Sequence, residues 1–208
     1  LNKKKNNNLM LDGFYNFGGS ENKKFKISHD LNEKNPKYLI DLDLAENFFL
    51  KFINFKSNYK NGSNIKSEIN FTNNNVIFNY IKFTEGKNLI SINDLKINNK
   101  KELSSISSLE VRTFNNDEEN NNFKIFFDKK ISIIGTKYDT THLLKQFSNE
   151  NKSNVFKNFT KDVEIKLNNL ITKSKITLKD FNLIGRINRG KFEKLSAKSE
   201  FSKTEYLD

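Results

Sequence analysis

The sequence has no cysteine, no tryptophan and only two histidines in 208 residues. Without cysteine, disulfide bonds, thiolate chemistry and cysteine-ligated zinc sites are excluded. His29 stands apart from any second histidine or carboxylate cluster at a metal-binding spacing, so we interpret it as a strand residue and expect no metal site. No window approaches the roughly 18 consecutive apolar residues of a helical membrane span, and no signal peptide is recognised within these residues.

Arginine is also scarce, because only Arg112, Arg186 and Arg189 occur among the 36 basic residues. A formal net charge of +11 would ordinarily indicate nucleic acid or an anionic surface as a partner. The lysines are nevertheless scattered on alternate strand positions, and the guanidinium groups that contact bases and phosphates bidentately are nearly absent. The lysines and the 35 asparagines are typical of an AT-rich coding sequence. No nucleic-acid partner is expected, and a polyanion-binding module is supported by the charge alone.

The motifs of common enzymes are missing as well. The sequence contains no Ser-His-Asp elbow, no phosphate-binding glycine loop and no HExxH motif. Asp41 and Asp43 are two residues apart in a predicted strand, which places both on the solvent face, and no glycine-bearing loop of ligands follows them. We therefore expect no enzymatic activity and no cofactor.

What the sequence does contain is a strand-type alternation of apolar and polar residues. It is clearest in residues 163–201, where Val163, Ile165 and Leu167 alternate with charged and amide side chains. The pattern breaks at Asp180, which predicts a bulge or tight turn there, and then resumes. Residues 188–190 supply turn chemistry before a return strand. This stretch predicts a hairpin-rich sheet with one apolar face.

Similar strands recur about every dozen residues, the spacing of an antiparallel meander, sandwich or barrel. We predict an all-β, mostly antiparallel sheet over at least half of the residues, with one short helix near residues 140–148. Residues 1–24 are expected to be a polar lead-in with one short strand, and residues 25–208 a sheet segment of a longer chain. Flexible loops are predicted near residues 115–122 and 149–161.

The apolar positions in phase within these strands are predicted to share one concave surface, because a strand slipped by one residue would expose all of them. They are Ile65, Ile69, Phe71, Leu109, Val111, Phe123, Ile125, Phe127, Val163, Ile165, Leu167, Ile176, Leu178, Phe192 and Leu195. Alternation alone fits two structures. One is an open sheet with an exposed apolar groove, and the other is a closed sandwich whose apolar faces pack dry against each other.

Residues 134–201 resemble AsmA-like envelope proteins. The similarity begins with a strand ending in glycine, an aromatic residue followed by aspartate and a leucine-rich helix, at Gly135, Tyr138, Asp139, Leu143 and Leu144. It continues in the next strands through a segment with Phe181, Leu183 and Gly185 before a turn. The first 130 residues share only the strand rhythm, and the subfamily, whether YhdP-like, TamB-like or AsmA proper, stays open.

The resemblance implies an elongated, twisted, gutter-shaped sheet or half-barrel that carries phospholipids along an apolar groove toward the outer membrane. It also implies a bacterial periplasmic location and an inner-membrane anchor outside these residues. The fifteen apolar positions would then line the groove and contact phospholipid acyl chains. The alternative is a structural or adhesive cell-surface β-protein whose apolar face is only packed core.

Overall fold

The computed structural model describes residues 8–16, 21–31, 36–143, 160–189, 191–200 and 206–207. Strands account for 71% of the described residues and helices for 4%. The predicted all-β, mostly antiparallel fold is confirmed. The chain forms two compact units, described separately below. The first comprises residues 1–47, 57–86 and 91–106, and the second comprises residues 48–56, 87–90 and 107–208.

Sixteen strands and two single-turn 3-10 helices, Lys51–Ile53 and Tyr59–Asn61, make up the regular structure of the described residues. In chain order the strands are β1 (Asn8–Tyr15), β2 (Lys23–Asp30), β3 (Lys37–Asp43), β4 (Phe49–Leu50), β5 (Phe55–Lys56), β6 (Asn64–Phe71), β7 (Asn75–Glu85), β8 (Asn88–Asn98), β9 (Leu103–Ser105), β10 (Ser108–Asn115), β11 (Glu118–Phe127), β12 (Ile131–Asp139), β13 (Lys161–Ile171), β14 (Thr177–Asn188), β15 (Lys191–Glu200) and β16 (Tyr206–Leu207).

The strand order of the first unit is β1-β2-β3-β6-β7-β8, with β9 paired to β8. The pairs β1–β2, β2–β3, β3–β6, β6–β7 and β8–β9 are antiparallel. One short strand was expected in residues 1–24, and β1 lies there. It pairs along its whole length with β2, from Asn8 opposite Asp30 to Tyr15 opposite Lys23. Its residues therefore belong to the sheet.

The second unit has the order β10-β11-β12-β13-β14-β15-β16, and β4 and β5 form a small separate hairpin. All of these pairs are antiparallel except β12 with β13, which is parallel. A parallel pair needs a crossover connection, and here it runs through residues 140–160. Within it, Thr141–Leu143 form a turn, and residues 144–159 lie outside the described residues. The greater part of the predicted helix at 140–148 and of the predicted loop at 149–161 therefore lies outside them too.

Two features of β14 and β11 show how bulges preserve the apolar face. Asp180 adopts a left-handed φ of 45°, and the register of β14 against β15 shifts between Lys179 and Asn182. This confirms the predicted break in alternation. As a result, Leu178 and Phe181 are both buried although they are three residues apart. A second register shift, between Asn122 and Phe123, interrupts the regular pairing of β11 with β12.

The prediction of a flexible loop at residues 115–122 is wrong. Asn116 and Asp117, with φ of 50° and 63°, form a two-residue turn between β10 and β11, and the strand resumes at Glu118. Asparagine and aspartate tolerate a left-handed backbone, so they suit a tight hairpin with both central φ angles positive. The following Asn120 and Asn121 are buried. The high asparagine content of these residues is typical of a loop. The sequence does not show that the side-chain amides of Asn120 and Asn121 have buried hydrogen-bond partners.

Gly135 occupies the middle of β12 at the bulge with β11, rather than a strand end. A Cβ atom there would lie 2.3 Å from the carbonyl oxygen of Asn122 and 2.5 Å from Cα of Phe123. The colliding atoms are mainly backbone, so they cannot rotate away.

We expect Gly135→Ala to lower the free energy of unfolding by about 1–3 kcal/mol or more through overpacking. The matched control is Thr136→Ala, which changes an exposed neighbour on the same strand and should leave stability nearly unchanged. Urea denaturation of both variants measures the difference. Equal stabilities would contradict the close approach of β11 and β12.

Candidate functional site

Most apolar residues of the first unit lie on one face of its sheet. The antiparallel registers align residues across five strands in rows, for example Leu11, Ile27, Ile40 and Ile81 with Ser67 between them. We call this surface the first apolar face. Its apolar members are Leu9, Leu11, Tyr15, Phe25, Ile27, Tyr38, Ile40, Leu42, Ile65, Ile69, Phe71, Val76, Phe78, Ile81 and Phe83. Three of the predicted groove residues, Ile65, Ile69 and Phe71, therefore lie together here.

This face is not a dry core. Among its apolar members only Phe83 is buried, at 5% exposure, whereas Leu11 is 58% and Phe71 44% exposed. The others are half-buried or exposed. In a closed sandwich, the inner-facing residues of central strands would interdigitate with a second sheet and lose this exposure. The first apolar face is therefore accessible across β1, β2, β3, β6 and β7.

Aromatic rings form one corner of the first apolar face. The ring of His29 stacks on Tyr38 with centroids 4.6 Å apart, and Tyr38 meets the edge of Phe71 at 5.5 Å. Nδ1 of His29 lies 2.8 Å from the carbonyl oxygen of Lys37. His29 is thus engaged by its neighbours, as expected for a strand residue.

The opposite face of the first unit is mainly polar, although Met10, Phe14 and Leu39 also lie on it. Its charges alternate over the first four strands, and Lys66 is then beside Lys82. One row runs Asp12, Lys26, Asp41, Lys66 and Lys82 over five strands. Nζ of Lys66 lies 3.2 Å from Asp41, whose pKa is lowered chiefly by a hydrogen bond from Asn64. Cross-strand pairs of opposite charge each stabilise a sheet modestly. This ladder keeps one face of the sheet hydrated while the other is apolar.

The second unit also has one apolar face, arranged in three rows across β10 to β15. We call them the covered row, the central row and the outer row, and together they form the second apolar face. The covered row is Val111, Phe123, Gly135, Leu167 and Phe181; the central row is Leu109, Ile125, Ile133, Ile165 and Leu183; the outer row is Phe127, Ile131, Val163, Gly185 and Leu195.

Eight of the predicted groove residues fall in these rows on β10, β11 and β13, and Leu195 joins them on β15. Phe192 pairs with Ile187 and is 51% exposed. Leu178 is buried beyond the bulge at Asp180. Ile176 precedes β14, in a turn where its carbonyl accepts a bond from Thr172, and is 49% exposed. Ile176 is thus outside the strand in which the alternation placed it.

The rows of the second apolar face differ sharply in exposure. Val111 and Phe123 of the covered row are 0% and 2% exposed, while every residue of the central row is half-buried. In the outer row, Ile131 and Val163 are buried and Leu195 is 55% exposed. The covered row has the character of a packed core, and the central row does not.

A separate segment packs over the Val111 and Phe123 end of the covered row. This segment, Phe48–Lys56, contains β4, a 3-10 turn and β5, and we call it the strap. Its Ile53 and Phe55 are both 0% exposed, and β5 packs against β10. The sequence of residues 48–55 is apolar on both faces at its start, which is typical of a central or covered strand. It does not predict which strands this segment contacts.

The strap is held through its backbone carbonyls by side chains of the sheet. Nδ2 of Asn121 donates to the carbonyl of Ile53 at 2.6 Å, and the hydroxyl of Tyr138 donates to Phe52 at 3.1 Å. Asn115 and Asn120 both donate to the carbonyl of Asn54 at 3.2 Å. Burial and the nearby Asp139 raise the pKa of Tyr138, so the phenol stays a donor over the physiological pH range.

Nothing in the described residues forms a metal-binding group of three or more histidine, aspartate or glutamate side chains. The helices of the described part are also too short and too polar to cross a membrane.

On the polar face of the second unit, Glu164 accepts bonds from Lys130 and Lys166, which lower its pKa from 4.5 to about 2. A lowered pKa in the folded state stabilises the protein above the unfolded value, and this stability is lost as pH falls through the folded value. We expect Glu164→Gln to remove the part of the melting-temperature loss that occurs between about pH 4.5 and pH 2. Identical pH profiles for the two proteins would contradict the ion pairs.

The contrast between rows predicts a contrast in stability. Val111→Asp buries an unpaired carboxylate under the strap and should cost several kcal/mol, enough to unfold the second unit. Ile125→Asp is one row away, on a half-buried site where its carboxylate reaches water, and should remain folded. Circular dichroism melting of both variants tests this. Unfolding of both would show that the central row is core as well.

Comparison with known proteins gives no relative for this chain. No family model matches it, no curated protein matches it, and no solved structure matches it. Its function is therefore argued from the geometry of the two apolar faces and from the sequence resemblance described above.

Proposed function

We propose that this chain binds the acyl chains of lipids along its apolar sheet faces and acts as a lipid carrier without catalytic activity. The observation that supports this most is the first apolar face, which is contiguous, apolar and accessible over five strands. Soluble monomers rarely expose large contiguous apolar patches, and larger ones mark sites that bind a partner. A hydrocarbon chain suits such a surface because each buried CH₂ contributes about 0.8 kcal/mol.

The polar face of the same strands supports the proposal that lipid, rather than a second protein layer, covers the apolar face. Its charged side chains stay hydrated, and Lys66 pairs with Asp41. Most apolar residues of this sheet are therefore on one face and most charges on the other. The gutter shape that the resemblance to AsmA-like proteins implies would shield acyl chains while leaving lipid headgroups in water. The resemblance to AsmA-like envelope proteins adds the proposal that the carrier works on the periplasmic side of a bacterial envelope, moving phospholipids toward the outer membrane. Its inner-membrane anchor would lie outside these residues.

One observation favours a second candidate, a structural or adhesive β-protein whose apolar face is only core. The strap, Val111 and Phe123 form a dry cluster in the second unit. Ile131, Val163, Leu167 and Phe181 of the rows on either side are buried as well. The central row between them is nevertheless half-buried. If the apolar faces are only packed core, charges introduced on either face should unfold the chain.

Charge substitutions on opposite faces of the same strand test the proposal. Ile40→Asp, Ile125→Asp and Ile165→Asp should each leave the protein folded and reduce binding of a fluorescent acyl-chain probe at least about tenfold, since the probe loses its continuous apolar track. The matched controls are Leu39→Asp and Phe126→Asp, which change neighbouring residues that are 43% and 42% exposed on the polar faces.

Both controls should melt and bind the probe like the unchanged protein. Loss of folding in all three apolar-face variants would favour a packed core over a lipid site. Equal probe binding by the apolar-face variants and the controls would exclude the faces as the binding surface.

A further inference from the structure

The covered row and the central row of the second apolar face are both apolar, yet of these two rows only the covered row is dry. The difference cannot come from strand alternation, because both rows lie on the same face. At Val111 and Phe123 it comes from the strap, whose Ile53 and Phe55 are fully buried. The strap contacts β10 through β5, and β11 through the hydrogen bond from Asn121 to the carbonyl of Ile53. The strap therefore stands beside the central row rather than over it.

The strap is fixed by hydrogen bonds rather than by apolar contact alone. Three consecutive carbonyls, of Phe52, Ile53 and Asn54, accept bonds from side chains of the sheet. Nδ2 of Asn54 donates to Asp139 at 2.8 Å, and the ring of Phe49 meets the edge of His142 at 5.6 Å. Lifting the strap would leave these buried polar groups without partners, which costs more than breaking the same bonds in water.

Asn121 is the centre of this attachment. It is 0% exposed, and its amide nitrogen donates both to Ile53 and to Thr113, the latter at 2.8 Å. Its amide oxygen accepts the backbone N–H of Asp139 at 2.8 Å. One side chain thus ties β10, β11, β12 and the strap together, and no shorter or apolar residue reproduces these bonds.

We propose that the strap is the side wall of an acyl-chain site on the second unit, with the central row as its floor and Asn121 as the positioning residue that fixes the wall. This inference rests on the proposed lipid-binding function and says where on the second unit the chain lies. The central row consists only of branched aliphatic residues. It crosses five strands, a path of about 19 Å at the usual strand spacing, so it suits one extended hydrocarbon chain rather than a flat aromatic ligand.

The absence of native cysteine makes a direct test possible. Single cysteines are introduced as Ile125→Cys on the floor, Val111→Cys behind the wall and Phe126→Cys on the polar face. Each is labelled with a water-soluble maleimide, with and without phosphatidylcholine vesicles. Without lipid, Val111→Cys should react at least about 100-fold more slowly than Ile125→Cys, because the strap must open first.

With vesicles, labelling of Ile125→Cys should slow by at least about tenfold, since an occupying acyl chain blocks it. The Phe126→Cys control should not change, and Val111→Cys should stay as slow as before. Adding Asn121→Ala should speed the labelling of Val111→Cys at least about tenfold by loosening the wall, and lipid should then protect that position too. Tyr138→Phe removes only the bond to Phe52 and keeps the ring, so it repeats the test with less disturbance if Asn121→Ala does not fold.

The outcomes separate the wall from the lipid site. The proposal that the strap is a side wall would be overturned by fast labelling of Val111→Cys without lipid. It would also be overturned if neither Asn121→Ala nor Tyr138→Phe accelerated that labelling. Protection of Val111→Cys by lipid in the chain with Asn121 intact would overturn it as well. If lipid does not protect Ile125→Cys while Val111→Cys still reacts slowly, the acyl-chain site on the second unit fails. The proposed lipid-binding function fails as well only if Ile40→Asp on the first apolar face also leaves probe binding unchanged.

Discussion

The structure depends on one constraint: a strand presents alternate residues to opposite faces, so a fixed register keeps all apolar residues of a sheet on one side. In the first unit this yields an apolar face whose members stay half-exposed, backed by a face of paired charges. Burying such a surface is favourable, yet no second layer of the described residues buries it. We propose that burial of this exposed apolar surface by acyl chains is the driving force of lipid binding.

The strap shows the other way in which this sheet handles apolar surface. Over Val111 and Phe123 it supplies the missing layer, and it does so with a backbone whose carbonyls would be unsatisfied against an apolar sheet. The buried amides of Asn120 and Asn121 resolve this conflict by donating to those carbonyls. Polar residues on the apolar face are thus needed because irregular backbone packs there. The same arrangement divides the second apolar face into a dry part and an accessible part.

The fold was largely predictable because alternation is local. The pattern around Val163, Ile165 and Leu167 and the break at Asp180 both follow from neighbours two residues away, and the structure has them as predicted. The strap could not be predicted, since Asn121 and its acceptor Ile53 are 68 residues apart in sequence. For the same reason residues 115–122 were predicted to be a loop. Their asparagines are typical of loops when the distant carbonyls that they bind are unknown. Likewise, alternation does not distinguish an open face from a covered one.

The central claim is that the apolar faces are occupied by lipid and not by protein. Native mass spectrometry of the chain, purified from cells without detergent, tests it most directly. The account predicts adducts at phospholipid masses that are lost on organic extraction while the circular dichroism spectrum is retained. A chain that carries no lipid after gentle purification, and that takes none up from phospholipid vesicles, would contradict it.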